Sequence, residues 1–401
     1  MPCASLRATH ANAVFEGTPR AASRTRTMRI NILLPFFSQT PIGGFKVQYE
    51  YANRLAERGH SVTVVHPCTV ESPAGWKARV SRLAKRGREL FEDRSRVSWH
   101  RLRDDVRLLS VPDLRERFIP AADVTVATGW ATAEMLKAYS KRAGRKFQIA
   151  YDYELWMEAE PATRRRMSRA FNSGQNVVST SPAVSEMLAE CGVRPVAYIP
   201  CGLDFETYGV DVPIEKRAWG TIGFPVREQA SKGTADALEA LQALRARHGD
   251  ELRIAAFGPR ESGNLPGWVR ATWLPTDAEL RGFYNSISIF LFPSHYEGWG
   301  LPAVEALACG AALVASDSVG SRDYALDGRT ALVVPRARPD LLAGAVETLL
   351  GDDEMRRRLA RQGHAHVQRY TWARAVDALE SLFAREGETV DSHGGNACAQ
   401  D

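Results

Sequence analysis

Two glutamates near residue 300 are spaced so that both could contact one ligand. Glu297 and Glu305 have seven residues between them, and the segment that they frame contains Gly298 and Gly300. A carboxylate can accept two hydroxyl protons at once, which neither glutamine nor lysine can do. Because glycine lets the backbone approach a ligand closely, the pattern predicts a site for an anion or for sugar hydroxyls.

A buried strand that leads into a helix has to position this segment. Residues 288–292 form a short apolar run of the kind that fills a parallel strand, and Pro302 suits the first turn of a helix. The backbone N–H groups of that turn would converge on a ligand and favour negative charge. Considered alone, the two glutamates could equally be solvated side chains on an ordinary strand–helix turn.

A second group of charges lies at a similar junction. Arg227, Lys232 and Gly233 follow a predicted strand at 219–224 and open a predicted helix at 232–248. Arginine can bind two oxygens in parallel and lysine supplies a point charge, so the pair could stabilise a diphosphate leaving group as it gains negative charge. The alternative is an exposed, charged helix start.

The N-terminal half begins with a strand–helix–strand unit. Strands are predicted at 28–34 and 61–66, with a helix at 45–58 between them. This arrangement places Gly43 and Gly44 at the turn where such units bind phosphate. A glycine pair by itself could also be a tight turn.

Strand–helix alternation continues through the rest of the chain. It runs from residue 106 to 200 and restarts from 219 to 334. The pattern predicts an α/β fold with two doubly wound, Rossmann-like domains, which we place at 28–212 and 213–371.

The sequence Glu-Gly-x-Gly-Leu-Pro, followed by Glu-Ala-x-Ala-x-Gly, resembles the signature of the family 4 retaining glycosyltransferases. The resemblance implies that Glu297 lies near the donor sugar and that Glu305 holds the ribose diol of the nucleotide. It also implies that sugar hydroxyls and phosphate meet the backbone of four residues: Gly298, Trp299, Gly300 and Leu301.

The same resemblance extends to the phosphate-binding residues. Arg227 and Lys232 match the family's Gly-Arg-x-x-x-x-Lys-Gly clamp, although three residues separate Gly223 from Arg227 and the register is slightly altered. Gly43 and Gly44 would lie beside the donor diphosphate. No metal and no other cofactor is implied, because the nucleotide sugar is a co-substrate.

The resemblance also implies the GT-B architecture, in which two Rossmann-like domains face each other across a cleft. The acceptor would bind to the domain at 28–212 and the donor to the domain at 213–371. A final helix at 372–386 would cross back onto the first domain. Residues 1–27 and 387–401 are expected to be disordered tails, and the former could also be an upstream start.

The contribution of the first domain to the chemistry is carried by a carboxylate. Many family members have a histidine after the strand predicted at 147–151, whereas this chain has Asp152, Tyr153 and Glu154. A subset that resembles rhamnan and cell-surface polysaccharide transferases has a similar Asp-Tyr-Glu. We therefore favour Asp152 as the catalytic group that faces the sugar or acceptor, with a solvated loop carboxylate as the alternative.

Composition limits the compartment and the partners. The six cysteines show no paired spacing, and no apolar run is long enough to span a membrane, so we expect a cytoplasmic protein. Residues 76–96 carry eight basic and three acidic side chains, a net charge of 8 − 3 = +5. This segment is typical of a basic amphipathic helix on an anionic membrane, at the inner face of the plasma membrane, or of a solvated insertion. It contains no recognisable nucleic-acid-binding module, so we expect no nucleic acid partner.

These observations predict a retaining glycosyltransferase that moves a sugar from a nucleotide-sugar donor to a saccharide, lipid-linked or small-molecule acceptor. Three alternatives stay open, because fold alone does not determine function. The chain could be a sugar-nucleotide epimerase, a phosphorylase on the same fold, or a catalytically inactive regulator that binds nucleotide sugars. The sequence does not identify the sugar, the base or the acceptor.

Overall fold

The computed structural model describes residues 26–69, 96–259 and 265–385. The predicted tails, apart from residues 26 and 27, lie outside the described residues, and so does the basic segment apart from Arg96. The described residues form two parallel β-sheets, each flanked by helices. Within these ranges, no helix is both long enough and apolar enough to cross a bilayer.

The first domain is built on a seven-stranded parallel sheet. Its strands are β1 Arg29–Leu33, β2 Ser61–Thr69, β3 Arg107–Asp113, β4 Val124–Ala127, β5 Arg145–Ile149, β6 Asn176–Ser179 and β7 Ala197–Tyr198. They lie in the order β3-β2-β1-β4-β5-β6-β7. Its helices, in the described residues, are α1 Gly43–Glu57, α2 Trp130–Lys137, α3 Tyr153–Glu158, α4 Pro161–Phe171 and α5 Pro182–Glu190.

The second domain has a six-stranded parallel sheet. Its strands are β8 Thr221–Pro225, β9 Arg253–Gly258, β10 Val269–Trp273, β11 Ile289–Phe292, β12 Ala312–Ser316 and β13 Ala331–Val334. They lie in the order β10-β9-β8-β11-β12-β13. The helices that follow along the chain are α6 Thr234–His248, α7 Asp277–Ser286, α8 Leu301–Ala308, α9 Pro339–Gly351, α10 Asp353–Val367 and α11 Trp372–Ala384.

Each sheet reverses its strand order at one point. In the first domain, β1 pairs with both β2 and β4, and in the second domain β8 pairs with both β9 and β11. Open α/β sheets bind ligands beyond the carboxyl ends of the strands at such switch points. The loops after β8 and β11 are therefore the expected ligand-binding loops of the second domain.

The strands at the switch point of the second domain are completely buried. All residues of β8, β11 and β12 are inaccessible to solvent or nearly so. A parallel strand covered on both faces by helices requires a continuous apolar run, because polar side chains on either face would lose their water. This requirement explains why Ile289–Phe292 could be recognised as a strand from the sequence.

The final described helix, α11, packs against the first domain. The ring of Trp372 lies 5.3 Å from that of Tyr51 on α1, and Phe383 lies 4.8 Å from Phe147 on β5, both edge to face. Arg145 donates hydrogen bonds to the carbonyl oxygens of Leu382 and Phe383 at 3.1 and 2.6 Å. The helix thus covers apolar surface of the first sheet.

Two local features differ from the sequence-based expectation. The strand–helix alternation of the sequence predicts one helix near residues 131–142, whereas in the structure the helix ends at Lys137 and a separate 3-10 turn follows at Lys141–Ala143. The segment after β5, expected to be a loop, forms the short helix α3. Tyr153 and Trp156, three residues apart, are the buried residues of that helix. A helix of about one and a half turns is too short for this spacing to be recognised as a helical period in the sequence.

Candidate active site

The loops after β8 and β11 touch each other at a glycine. Gly233 adopts a left-handed conformation, with φ = 67°, and a Cβ atom at this position would collide with the carbonyl oxygen of Pro293. The backbone N–H of His295 donates to the carbonyl oxygen of Ser231 at 2.7 Å, which ties the loops together. Glycine is therefore required here by both conformation and space.

A buried tyrosine fixes the glycine-rich segment. The hydroxyl group of Tyr324 lies 2.7 Å from the carbonyl oxygen of Trp299 and 3.1 Å from that of Gly300. The rings of Tyr324 and Trp299 also contact edge to face at 5.4 Å. The sequence analysis did not predict this role for Tyr324, since the contact spans 25 residues and depends on the loop after β12.

Glu297 is buried at the base of the loop and faces a cation. Its carboxylate lies 3.0 Å from the ammonium group of Lys232, whose other carboxylate partner is Glu154 at 2.8 Å. Burial raises the pKa of Glu297, and Lys232 offsets only part of the effect. Burial alone would lower the pKa of Lys232, but the carboxylates of Glu297 and Glu154 outweigh it and raise the pKa. The pair that the sequence predicted as sugar-facing and phosphate-binding groups is thus in direct contact.

Glu154 comes from the first domain. It lies on α3, and its carboxylate accepts a hydrogen bond from the backbone N–H of Gly298 at 3.2 Å as well as contacting Lys232. The Asp-Tyr-Glu segment of the sequence points to Asp152, two residues earlier, rather than to Glu154. Only the packing of α3 against the second domain shows that Glu154 reaches Lys232.

Asp152 lies just before α3 and turns toward α2. Its carboxylate accepts a hydrogen bond from the backbone N–H of Trp130 at 3.0 Å, at the start of that helix. An added Cβ on Gly129 would lie 3.1 Å from Oδ1 of Asp152, so a larger residue there would press on the carboxylate. Burial raises the pKa of Asp152 to about 7. A role for Asp152 in facing the sugar stays a prediction.

Arg227 lies at the carboxyl end of β8 and is held by its own loop. Its backbone N–H donates to the hydroxyl group of Thr234 at 3.0 Å, and the same hydroxyl donates to its carbonyl oxygen at 2.8 Å. Its guanidinium lies 5.5 Å from the centre of the Phe257 ring. Burial lowers the pKa of Arg227, while Tyr284, Glu297 and Glu305 act in the opposite direction, so both glutamates of the motif influence this cation.

Glu305, on α8, is buried beside a network that joins the two domains. It accepts a hydrogen bond from the hydroxyl group of Tyr284 at 2.9 Å, and Lys46 of α1 lies 4.0 Å away. Lys46 also contacts Asp277 at 2.7 Å and the hydroxyl group of Tyr208 at 3.1 Å. Burial raises the pKa of Glu305, which Lys46 partly offsets. Lys46 lies only two residues after the predicted glycine pair but was not singled out from the sequence.

A cavity borders this network between the domains. Its lining includes four carboxylates and one ammonium group, from Lys46, Glu50, Asp204, Asp277 and Glu305. Carboxylates accept hydrogen bonds and cannot donate them when ionised, so this wall suits a ligand that presents hydroxyl groups. In the described ranges, no three His, Cys, Asp or Glu side chains are arranged as a metal site would require.

Gly43 and Gly44 lie in the first turn of α1. The helix begins at Gly43, two residues before the predicted start at residue 45, so the glycine pair is helical and not part of the preceding turn. Ile42 precedes them in an extended conformation, and the first turn contains no acidic residue. A Cβ atom on Gly43 would lie 3.6 Å from the side chain of Leu301, so the start of α1 adjoins the glycine-rich segment across the cleft. Because the N–H of Phe45 already donates to the carbonyl oxygen of Ile42 at 3.0 Å, the N–H groups of Gly43 and Gly44 are the ones that can bind an anion here.

Fold and site together define a two-domain protein of the GT-B class, and comparisons with solved structures agree. Sucrose-phosphate synthase from Thermosynechococcus elongatus superposes with a TM-score of 0.66 at 15% identity, covering 88% of this chain and 98% of that protein. Anabaena HepE in complex with UDP-glucose gives a TM-score of 0.67 at 16% identity, covering 89% and 100%. At this identity the likeness establishes the architecture.

Sequence comparisons match each domain to a glycosyltransferase model. The model described as "Glycosyltransferase Family 4" matches residues 43–207, and "Glycosyl transferases group 1" matches residues 221–366. A D-inositol 3-phosphate glycosyltransferase of Arthrobacter sp. (strain FB24) is 32% identical over 58% of this chain and 62% of its own length. One of Corynebacterium jeikeium is 29% identical over 56% and 61%. The two models together match most of the chain, so both domains are similar to the glycosyltransferases of these models. The matched part of the chain spans under two thirds of the length of the two relatives.

Proposed function

We propose that the protein is a retaining glycosyltransferase that moves a sugar from a nucleotide-sugar donor to a saccharide, lipid-linked or small-molecule acceptor. The contact between Glu297 and Lys232, beneath the N–H groups of a glycine-rich segment and at the switch point of the second sheet, carries the proposal. It combines a hydroxyl-binding carboxylate and a phosphate-binding cation within 3.0 Å. A nucleotide sugar presents the same two chemistries in adjacent positions.

In the proposed reaction, Lys232 and Arg227 bind the donor diphosphate together with the N–H groups at the start of α1. Negative charge grows on the diphosphate as the bond to the sugar breaks, so fixed cations stabilise the transition state more than the ground state. The leaving phosphate accepts the proton of the attacking acceptor hydroxyl on the same face of the sugar. The protein then supplies mainly geometry and charge.

Glu305 has the position and chemistry to bind the ribose of the donor. It is buried, it borders the acidic cavity, and Tyr284 orients its carboxylate. The two ribose hydroxyls would replace Lys46 as its partners. Glu297 would accept hydrogen bonds from hydroxyl groups of the transferred sugar. Asp152, from the first domain, would face the sugar or the acceptor.

UDP-sugars are the first donors to test, because HepE was crystallised with UDP-glucose. D-inositol 3-phosphate belongs among the acceptors, since the relatives named above are glycosyltransferases of that compound. The same names favour transfer over the epimerase, phosphorylase and inactive-regulator alternatives. We further propose that the reaction occurs in the cytoplasm, at the inner face of the membrane when the acceptor is lipid-linked.

The test is a screen of nucleoside diphosphates and nucleotide sugars by thermal shift, followed by transfer assays with the donors that bind. A ligand at 100 times its dissociation constant adds roughly 2.7 kcal/mol to the free energy of unfolding. Product analysis by NMR should show the donor's anomeric configuration retained. Glu297→Gln serves as the matched inactive control. Release of free epimerised nucleotide sugar, or phosphate-dependent cleavage without transfer, would overturn the proposal.

A further inference from the structure

Glu154 is a first-domain side chain that occupies ligand-binding groups of the second domain. One of its carboxylate oxygens lies 2.8 Å from the ammonium group of Lys232, and the other accepts the backbone N–H of Gly298 at 3.2 Å. An ammonium group and a backbone N–H at the mouth of a glycine-rich turn together form an anion-binding site. Glu154 fills that site with a carboxylate of the protein itself.

We propose that, in the unliganded protein, the carboxylate of Glu154 occupies the binding site of the donor diphosphate. The diphosphate must then displace this carboxylate in order to bind. This inference rests on the proposed function, because it takes Lys232 and Gly298 as donor-binding groups. In the unliganded protein, the interdomain contact between Glu154 and Lys232 blocks the diphosphate site. Donor binding then breaks the contact between Glu154 and Lys232.

Charge makes displacement necessary. Lys232 already neutralises the carboxylate of Glu297 at 3.0 Å, so Glu154 leaves the group with two negative charges and one positive charge. A diphosphate bound at the same lysine would add further negative charge within a few ångströms. Like charges at that separation repel strongly in a partly dry site, so the diphosphate and Glu154 exclude each other.

Exposure shows which carboxylate can leave. The side chain of Glu154 is 36% exposed, whereas that of Glu297 is 11% exposed. Trp156 holds α3 in the first domain, where its ring N–H donates to Glu190 at 3.1 Å, so the helix can stay in place while Glu154 rotates into water. The exchange therefore needs only a side-chain rotation.

The experiment measures the dissociation constants of UDP and of inorganic pyrophosphate by calorimetry. The variants are Glu154→Gln, which removes the charge, and Glu154→Asp, which keeps the charge but shortens the side chain by one C–C bond, about 1.5 Å. Glu158→Gln, an exposed residue of the same helix, is the control. If Glu154 competes with the ligand, both Glu154 variants should bind UDP and pyrophosphate at least threefold more tightly than the wild type, because a larger fraction of the protein is then competent to bind.

The aspartate variant separates competition from a general charge effect. If Glu154→Asp binds like the wild type while Glu154→Gln binds more tightly, the carboxylate acts only through its charge and the inference is wrong. Unchanged or weaker binding in both variants also overturns it. If the wild type turns over a donor but the Glu154 variants show one of these two binding patterns, only the inference fails. If neither the wild type nor any variant binds UDP or pyrophosphate and no donor is turned over, the proposed function fails with it.

Discussion

Lys232 has two carboxylate partners that differ in origin and burial. Glu297 belongs to the same domain and is fixed at the base of the loop, while Glu154 reaches across from the first domain. A lysine that must hold a leaving group needs a charge that is present at neutral pH, and the two carboxylates raise its pKa despite burial. The site thus keeps this lysine protonated before any ligand arrives.

Replacing Lys232 by alanine should chiefly lower turnover. Loss of a charge-assisted contact to the leaving group should reduce kcat/KM by on the order of 2–3 kcal/mol, roughly 30- to 150-fold. Steady-state kinetics with the identified donor measures the effect, with the exposed Lys216→Ala as control. A change in kcat/KM within about twofold would show that Lys232 does not stabilise the leaving group.

Replacing Asp152 by asparagine should stabilise the protein in a pH-dependent way. The pKa of Asp152 is about 7 in the folded protein, against a model-compound value of 3.8. Between these values the unfolded chain is ionised and the folded one is protonated, so the wild type loses stability as pH rises to about 7.

The asparagine variant cannot ionise and keeps an oxygen for the N–H of Trp130. Its advantage in the free energy of unfolding should therefore grow by at most about 1.4 kcal/mol per pH unit between pH 4 and 7 and level off above. Denaturant unfolding at pH 4, 5.5, 7 and 8.5 would measure it, with Glu158→Gln as control. An advantage independent of pH would contradict the pKa argument.

At the scale of elements, the parts of the fold that the sequence predicts best are the buried strands, because a strand covered on both faces needs apolar residues along its length. The strands β8, β11 and β12 are buried on both faces, and β11, with the sequence Ile-Phe-Leu-Phe, is a continuous apolar run. The short helix α3 is recognised only in the structure, because one and a half turns give too little periodicity. Similarly, the glycine-rich segment predicts a ligand-binding turn, but its sequence gives no sign that Tyr324 donates to its carbonyl oxygens.

Contacts between elements that are distant in sequence were beyond sequence-based prediction. Lys46 and Asp277 are 231 residues apart, and their 2.7 Å contact exists only because α1 faces α7 across the cleft. Arg217 is another case. Its guanidinium is buried and donates to the carbonyl oxygens of Tyr284, Ile287 and Cys309, at the ends of the helices α7 and α8. An isolated arginine in a linker gives no sign that it will satisfy the open ends of two helices.

Gly233→Ala should separate the two ligand-binding loops. The methyl group would collide with the carbonyl oxygen of Pro293 in addition to opposing a positive φ. Gly192→Ala is a matched control, since Gly192 ends α5 with a positive φ of 72° and the Val193 N–H to Leu188 carbonyl bond of a left-handed helix end, but has nothing within 4 Å of an added Cβ. We expect Gly192→Ala to cost about 1 kcal/mol of stability and Gly233→Ala clearly more, with weakened UDP binding only in the latter. Equal losses in both variants, measured by denaturant unfolding and calorimetry, would show that the loop contact is unimportant.

At the scale of the whole molecule, charge is concentrated in one segment. The net charge of residues 76–96 equals the +5 of the complete chain, so the remaining residues are neutral in sum. A lipid-linked acceptor would require the protein to work at a membrane surface. Five net charges at roughly 1 kcal/mol each give an upper limit of about 5 kcal/mol for attraction to anionic lipid, enough for reversible attachment.

Liposome flotation tests this attachment. The wild type should float with anionic liposomes at low salt and dissociate from them as the salt concentration is raised. It should not bind neutral liposomes. A variant with five serines, at Lys77, Arg79, Arg82, Lys85 and Arg86, should stay in the soluble fraction. Equal binding of the two proteins to anionic liposomes at low salt would refute the membrane proposal.

The return of α11 to the first domain has a consequence for the order in which the chain is made. The last strand of the first sheet ends at Tyr198, but the helix that covers Tyr51 and Phe147 begins only at Trp372. At translation rates of about 5–20 residues per second, the ribosome needs roughly 10 to 35 seconds to synthesise the intervening residues. During that interval the first domain presents an uncovered apolar face, while the second domain can complete its own sheet as it emerges. The nascent first domain is therefore the part of this protein that a ribosome-associated chaperone would hold longest.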